Sequence, residues 1–329
     1  MRALASAARE AERDARRRQR ALLEQQRVVA KETALRVAAH EADLYEASID
    51  ALTSVHKECG KVWNWQDIKD TPIPRKPDRV QDAEVDALLR LQRYEPSLLD
   101  RLFRRVQVRR GRLEVAVELA KERDKEQNTK RLNQYEQDVA DCEKARAFAT
   151  AILNGDLDAY KQAVEESRAL SEIEELGSAV SVSAKNSSCI ESTFQVRGTS
   201  VVPSEIKTLT QSGKLSVKKM PKGQFLELYE DYVCACVLRI GREIFALLPV
   251  DMIFVTATDD LLDTATGYKS VKPILSVALT RREMSKLNFD AVDPSDAMSN
   301  FVHNMKFSKS AGFNAVERLA TNFQPVKAG

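Results

Sequence analysis

The sequence predicts an α+β protein: a long-helix, coiled-coil-like N-terminal half followed by a small α/β sandwich of short strands and two or three helices. Three observations carry this. Residues 1 to 59 contain neither Gly nor Pro and are dominated by Ala, Glu, Arg, Gln and Leu, which is the composition of one long helix. From Val28 a seven-residue apolar repeat can be followed to Cys59. At Gly177 helical periodicity gives way to a run rich in Ser, Ala and Val, and Ile190 to Val196 then alternates as a strand does.

A chain of 329 residues exceeds one ordinary core, so more than one domain is expected. The division expected is a helical arm over 1–59, a Trp/Pro crossover over 60–80, a helical domain over 81–178 pairing with the arm, and an α+β domain over 179–329. Lys and Arg number 51 against 49 for Asp and Glu, a net charge of +2, so any nucleic-acid or membrane-binding surface must be local.

In the arm, Val28, Leu35, Ile49 and His56 share one seam position and Ala38, Tyr45, Leu52 and Cys59 the other, with Ala42 completing the stripe. The small alanines make a weak seam, expected to pair with another helix of the same chain. Upstream of Val28 the stripe fails and a charged extension is expected, or an arm whose partner is elsewhere. Arg2, Arg9, Arg13 and Arg16-Arg17-Arg18 are interrupted by Glu10, Glu12 and Asp14 with no apolar core behind them, which excludes a secretory signal. The helical pattern starts at Met1 without a cap, as expected of a chain that begins upstream. No apolar run approaches the roughly 18 residues of a membrane span, so a soluble, cytoplasmic protein is expected.

Gly60 is read as the stop of the arm. Trp63 and Trp65, with Pro72, Pro74 and Pro77, form a crossover whose rings anchor against the helices. A helix over about 82–93 follows, then a second long helix from a Ser97 cap to Leu153. Its Lys121 to Arg131 stretch is almost wholly polar, which fits an exposed hairpin tip or a turn at Gln127-Asn128-Thr129. Asn154-Gly155-Asp156 ends that helix and starts another, to about Leu176. Short strands at Ser200 to Val202, Ile206 to Leu209 and Leu215 to Val217 precede a hydrophobic helix over Phe225 to Leu248. Asp251 to Thr256 and Ile274 to Leu279 read as neighbouring strands, and Asp293-Pro294-Ser295-Asp296 caps a final helix to Met305.

Signatures of nucleotide loops, zinc proteases and nucleophile elbows are absent. His40, His56 and His303 are too scattered for a metal cage or a triad, and His303 reads as a packed helix residue. The five cysteines lack metal spacing, and Cys234 and Cys236 read as buried small side chains, since two residues apart on a helix they point about 200° away from each other. No metal site or cofactor is expected.

One constellation has chemical content. Glu191, Glu205 and Lys207 have the acid, acid-x-Lys order of metal-dependent nucleases, in which carboxylates hold Mg²⁺ and the lysine orients water. Glu-x-Lys also arises by chance in a chain this charged, and Pro203 points to an edge strand. Two basic groups are candidate nucleic-acid contacts: Lys214, Lys218, Lys219 and Lys222, and Arg101, Arg105 and Arg112 on one helical face. Asp259, Asp260 and Asp263 read as a polar turn. The favoured function is an interaction or assembly protein of a multi-component intracellular complex, its arm setting oligomeric state or docking a protein partner and its C-terminal domain binding through its surface. The alternative is the nucleic-acid-acting enzyme.

Overall fold

The computed structural model describes residues 2–97, 101–167, 170–171, 179–196, 198–262 and 264–320, with side chains from residue 17 onward except 21 and 179. The expected helix end at Leu176 and Gly177, and Asp263, lie outside the described residues. The chain forms two compact units, one of 64–154 and one in which 1–63 joins 155–329. This grouping assigns the arm to the C-terminal part of the chain, where the sequence suggested pairing with 81–178. Among the described residues no helix is long and apolar enough to cross a membrane.

In the smaller unit, α2 (Trp65–Lys69) and α3 (Asp82–Gln92) both pack on α4 (Val106–Leu153). Asn64 caps α2, its side-chain oxygen accepting from the Gln66 and Asp67 amides. Trp65 is buried edge-on against Phe148 with ring centres 5.7 Å apart, as expected of an anchoring ring, while Trp63 is exposed. The Arg146 Nε donates to the Lys69 carbonyl at 3.0 Å.

The polar middle of α4 is neither a free tip nor a turn, because the helix runs through it and uses its polar groups. Asp124, 4% exposed, accepts from the Glu84 amide at 2.8 Å and the Ala83 amide at 3.4 Å. It thereby satisfies donors that the first turn of α3 leaves open. Asn128 exchanges two bonds with Val80, accepting from its amide at 2.8 Å and donating to its carbonyl at 2.7 Å. Arg131 donates to the Asp78 carbonyl. Residues 78–84 thus take the place that an apolar stripe would otherwise fill. The start of α4 also differs from expectation: the helix begins at Val106, after Arg104 at φ 54°, so Ser97 does not cap it.

In the larger unit, α1 (Arg2–Ser54) passes into a 3-10 turn at Val55–Lys57. The seam is real from Leu35 onward: Ala38, Ala42 and Leu52 are buried, Tyr45 and Ile49 half-buried, and Val28 exposed. Its partners within this unit are α6 (Lys222–Leu247) and the hairpin of β3 (Glu205–Leu209) and β4 (Leu215–Lys219). Alanines admit a hairpin closely, and Lys207 reaches Glu41 of α1 at 3.1 Å.

The principal sheet has the order β1-β2-β5-β6-β7, made of Ala179–Asn186, Cys189–Gln195, Met252–Leu262, Lys269–Thr280 and Val302–Met305. Only β2 and β5 are parallel; every other pair is antiparallel. The β3–β4 hairpin and α6 together form the crossover between the two parallel strands. α5 (Leu157–Glu166), capped by Asp156, packs on β1. Short elements complete the unit: α7 (Arg281–Met284), α8 (Pro294–Ala297), β8 (Phe307–Ser308) and β9 (Gly312–Phe313).

Two expectations are corrected here. The final helix stops at Ala297, although Asp293 caps it as expected, because Val302–Met305 pairs with the edge of β6; His303 therefore lies on a strand. Asp259 and Asp260 belong to β5, which runs six residues beyond Thr256.

The exit of α1 is bound to α6 through charges. Arg239 and Glu243 of α6 pair at 2.6 Å, and Glu243 accepts from the Gly60 amide at 2.8 Å. A Cβ at Gly60 would stand 2.7 Å from Glu243 Oε2. Close approach, rather than stopping a helix that ended six residues earlier, explains this glycine. Arg242 donates to the carbonyls of His56, Lys57 and Glu58 and stacks over Phe289 at 4.1 Å.

Asp124→Ala leaves the first amides of α3 without their acceptor. Chemical denaturation should report a loss of about 2 kcal/mol, the scale of a buried bond to a charged acceptor. An unchanged midpoint would show that α3 does not depend on this carboxylate.

Candidate ligand cavity

At the carboxyl ends of the parallel pair β2 and β5 lies a cavity of about 480 Å³. Small-molecule sites fall in this size range, and ligands of open α/β sheets bind beyond the carboxyl ends of parallel strands. Its walls come from the end of β2, the 3-10 turn Gly198–Val201, the first half of α6, β5 and β9.

The local sequence explains how these pieces meet. The β5–β6 register shifts between Ala257 and Thr258, where Ile274 of β6 is passed over, and a bulge of this kind bends the bulged strand and increases the local twist. Thr258 is buried and bonds across to β2, its hydroxyl donating to the Phe194 carbonyl and its carbonyl accepting from the Val196 amide at 2.9 Å. Asp259 comes next and is only 9% exposed. Its Oδ2 accepts from the Tyr229 hydroxyl of α6 at 2.7 Å, and its Oδ1 from the Asp260 amide at 2.7 Å. Gly198 has φ 67°, and a Cβ there would lie 3.4 Å from Asp259 Oδ1. This left-handed residue lets the turn lie on the carboxylate. Phe313 packs edge-on against Tyr229 with ring centres 5.7 Å apart. Burial, and then the bond to Asp259, pushes the Tyr229 phenol far above its ordinary range, so it stays a donor.

The residues singled out from sequence are distributed otherwise. Glu191 is on β2 of the large sheet, where it pairs with Lys185 at 2.8 Å, and Arg318 approaches it at 4.0 Å. Glu205 and Lys207 are on β3 of the separate hairpin, with Lys207 turned to Glu41. The two glutamates therefore stand on different sheets. Lys214, Lys218, Lys219 and Lys222 are all exposed, but Lys218 pairs opposite Ile206 and Lys219 opposite Glu205, so these two project from opposite faces of the hairpin. Arg101 and Arg105 precede α4 while Arg112 lies within it, so the three do not share one helical face; Arg105 instead lies over Phe103 at 5.5 Å. Among the described residues no group of three or more His, Cys, Asp or Glu side chains is arranged to hold a metal ion. Cys234 and Cys236 are fully buried, and burial pushes the Cys236 thiol up to about 12.

Tyr229 was legible as part of the buried stripe of α6. Asp259 was missed because the strand reading stopped at Thr256; residues 257–262, Ala-Thr-Asp-Asp-Leu-Leu, carry no strand signal of their own and are held by pairing with β6. Comparison with protein families, with characterised proteins and with solved structures gave no match.

Away from the cavity, two groups near the α1 exit titrate in opposite senses. His56 is 1% exposed. Burial first, then the charge of Lys57, lowers its pKa, with the Val292 backbone and Asp293 opposing. Its unfolded pKa exceeds its folded one, so the stability it allows is present above about pH 6.5 and is lost as pH falls below that. Half-buried Glu230 is raised to about 7 by burial and by Asp231, Asp293 and Glu227. Its contribution is therefore full below about pH 4.5 and lost as pH rises through 7.

Denaturation at two pH values separates these groups. Glu230→Gln should gain more over the parent at pH 8 than at pH 5, and His56→Leu more at pH 5 than at pH 8; equal gains at both would remove the assignments. Tyr229→Phe takes one donor from buried Asp259 and should lower stability by about 2 kcal/mol, read from the denaturation midpoint.

Proposed function

We propose that this chain is an assembly component of a multi-component intracellular complex, with the upstream part of α1 docking a partner helix and the α+β unit serving as a binding module. The observation that carries the reading is the contrast along α1. From Leu35 the seam through Ala38, Ala42, Ile49 and Leu52 is covered within the unit, although Val37 and Leu44 on another face stay exposed, whereas upstream no described apolar side chain is covered and the helix continues with Leu22 59%, Leu23 51%, Val28 53% and Val29 61% exposed. Leu22 and Val29 lie seven residues apart on one face with Gln25 between them, bordering a shallow concavity with Arg18 and Val28. A lone helix with such a face is marginal in water, and a second helix laid along it would cover these side chains.

Charge favours the kind of partner. Between residues 17 and 34 stand Arg17, Arg18, Arg20, Arg27 and Lys31 against Glu24 and Glu32, so an acidic amphipathic helix is the complementary occupant, and a second copy laid in parallel register would bring like charges together. The cysteines at 59, 142, 189, 234 and 236 are all free thiols, which suits a reducing, cytoplasmic setting.

Leu22→Asp with Val29→Asp, or deletion of residues 1–27, should leave the denaturation midpoints unchanged. Either change should remove capture of an acidic helical partner from a host lysate by the intact chain. Light scattering on the purified chain distinguishes the remaining case: a dimer that the double variant converts to a monomer assigns the face to self-association. A monomer throughout, with capture unchanged by both variants, would overturn the docking role.

A further inference from the structure

The geometry points to the cavity at the ends of β2 and β5 as a binding site for an organic cation, a ligand that presents an ammonium or guanidinium group to Asp259. The inference is independent of the docking role of α1, since every wall of the cavity belongs to the α+β part of the chain.

The argument is one of charge balance. A carboxylate held nine-tenths out of water is costly unless a cation or several strong donors compensate it. Asp259 has two donors, the Tyr229 hydroxyl and the Asp260 amide, and both are neutral. No described cation lies within ion-pair distance of it. Lys272, its neighbour across the β5–β6 ladder, and Lys269, exposed at the cavity wall, both fall short of it. Each Asp259 oxygen accepts one bond and has capacity for another. The side chain therefore lines a cavity with only neutral donors on it and acceptor positions to spare, and an entering cation would use those positions and add the missing opposite charge.

The rest of the wall suits such a ligand. Thr199 lines the turn side, while Leu226, Tyr229 and Phe313 give an apolar and aromatic flank for the methylene or guanidinium part of an amine. A bare metal ion is not the occupant, because Asp259 and the exposed Asp260 are the only carboxylates of the wall and, among the described residues, no three His, Cys, Asp or Glu side chains converge to hold one. An anion would meet Asp259 head-on. The same group reaches the cavity from either of two sources, a free amine of low molecular weight or the arginine or lysine side chain of a peptide.

Isothermal titration of the intact chain with agmatine, putrescine and an end-blocked Ala-Arg-Ala peptide tests this, with glutarate as the anionic control. The expected result is saturable binding of at least one cationic probe below about 10 mM and none of glutarate. Agmatine or putrescine alone assigns a free amine, and the peptide alone assigns a side chain of a partner. Asp259→Asn should weaken the interaction at least tenfold. Because that change also touches the Tyr229 bond and can unfold the unit, Lys269→Glu supplies a second readout on an exposed residue: it should tighten cation binding about threefold, and less so at high salt. Absence of binding by all three cationic probes would overturn the inference. So would binding of glutarate as strong as theirs, or affinities that neither variant changes.

Discussion

Burial of α6 on nearly all its sides is the constraint from which the larger unit follows. From Tyr232 to Leu247 almost every residue is removed from water, including Arg239 and Glu243. A helix buried all round needs neighbours on every face, and any charge within it needs a partner. The exit of α1, β5, α8 and β9 supply the neighbours, with α5 and the Gly198–Val201 turn. The partners are internal to the helix in the Arg239–Glu243 pair and external in Glu58 and the Gly60 amide. The ionic links thus hold a segment near residue 58 against one near residue 240, which sequence separation alone would never bring together.

The cavity is a consequence of the same crossover. Joining β2 to β5 in parallel demands a long connection, and here it consists of a hairpin that reaches α1 and a helix that crosses the sheet. Where the connection leaves β2, the left-handed Gly198 turns the chain over the strand ends, and Asp259, near the far end of β5, comes to lie beneath that turn. Tyr229 lies near the start of the α6 helix and reaches Asp259 from the opposite side. Strand ends, a turn and a helix face leave a gap that their backbones cannot close. Its polar floor is a result of chain topology as much as of composition.

The smaller unit solves a different problem with polar groups. Its long helix α4 has few apolar residues in the middle, yet α3 and the segment before it are held there. Asp124 accepts the amides that begin α3, and Asn128 forms a paired bond with Val80 that substitutes for a stretch of ladder. At the far end apolar contact takes over, with Trp65 set edge-on to Phe148. Stability along α4 is therefore divided between buried hydrogen bonds and ring packing, and single side chains rather than a broad stripe carry it.

The sequence by itself determined the α+β class, the existence of a long α1, the part of its seam from Leu35 onward though not the start at Val28 or the end at Ser54, the buried character of α6, the β3 and β4 strands and the cap at Asp156, because each rests on local periodicity or on a residue's own preference for a turn or cap. It could not tell that Lys121 to Arg131 is occupied, because hydrogen bonds to a distant backbone leave no apolar period. Val302 to Met305 read as helix because four residues after a genuine cap carry no signal of the β6 edge that claims them. Glu191 and Glu205 looked like companions in sequence, and strand pairing put them on separate sheets. Tyr229 and Asp259 are thirty residues apart and met only because tertiary structure laid α6 across β5. Local preference fixes elements; the burial of charge and the closure of a sheet decide which of them share a site.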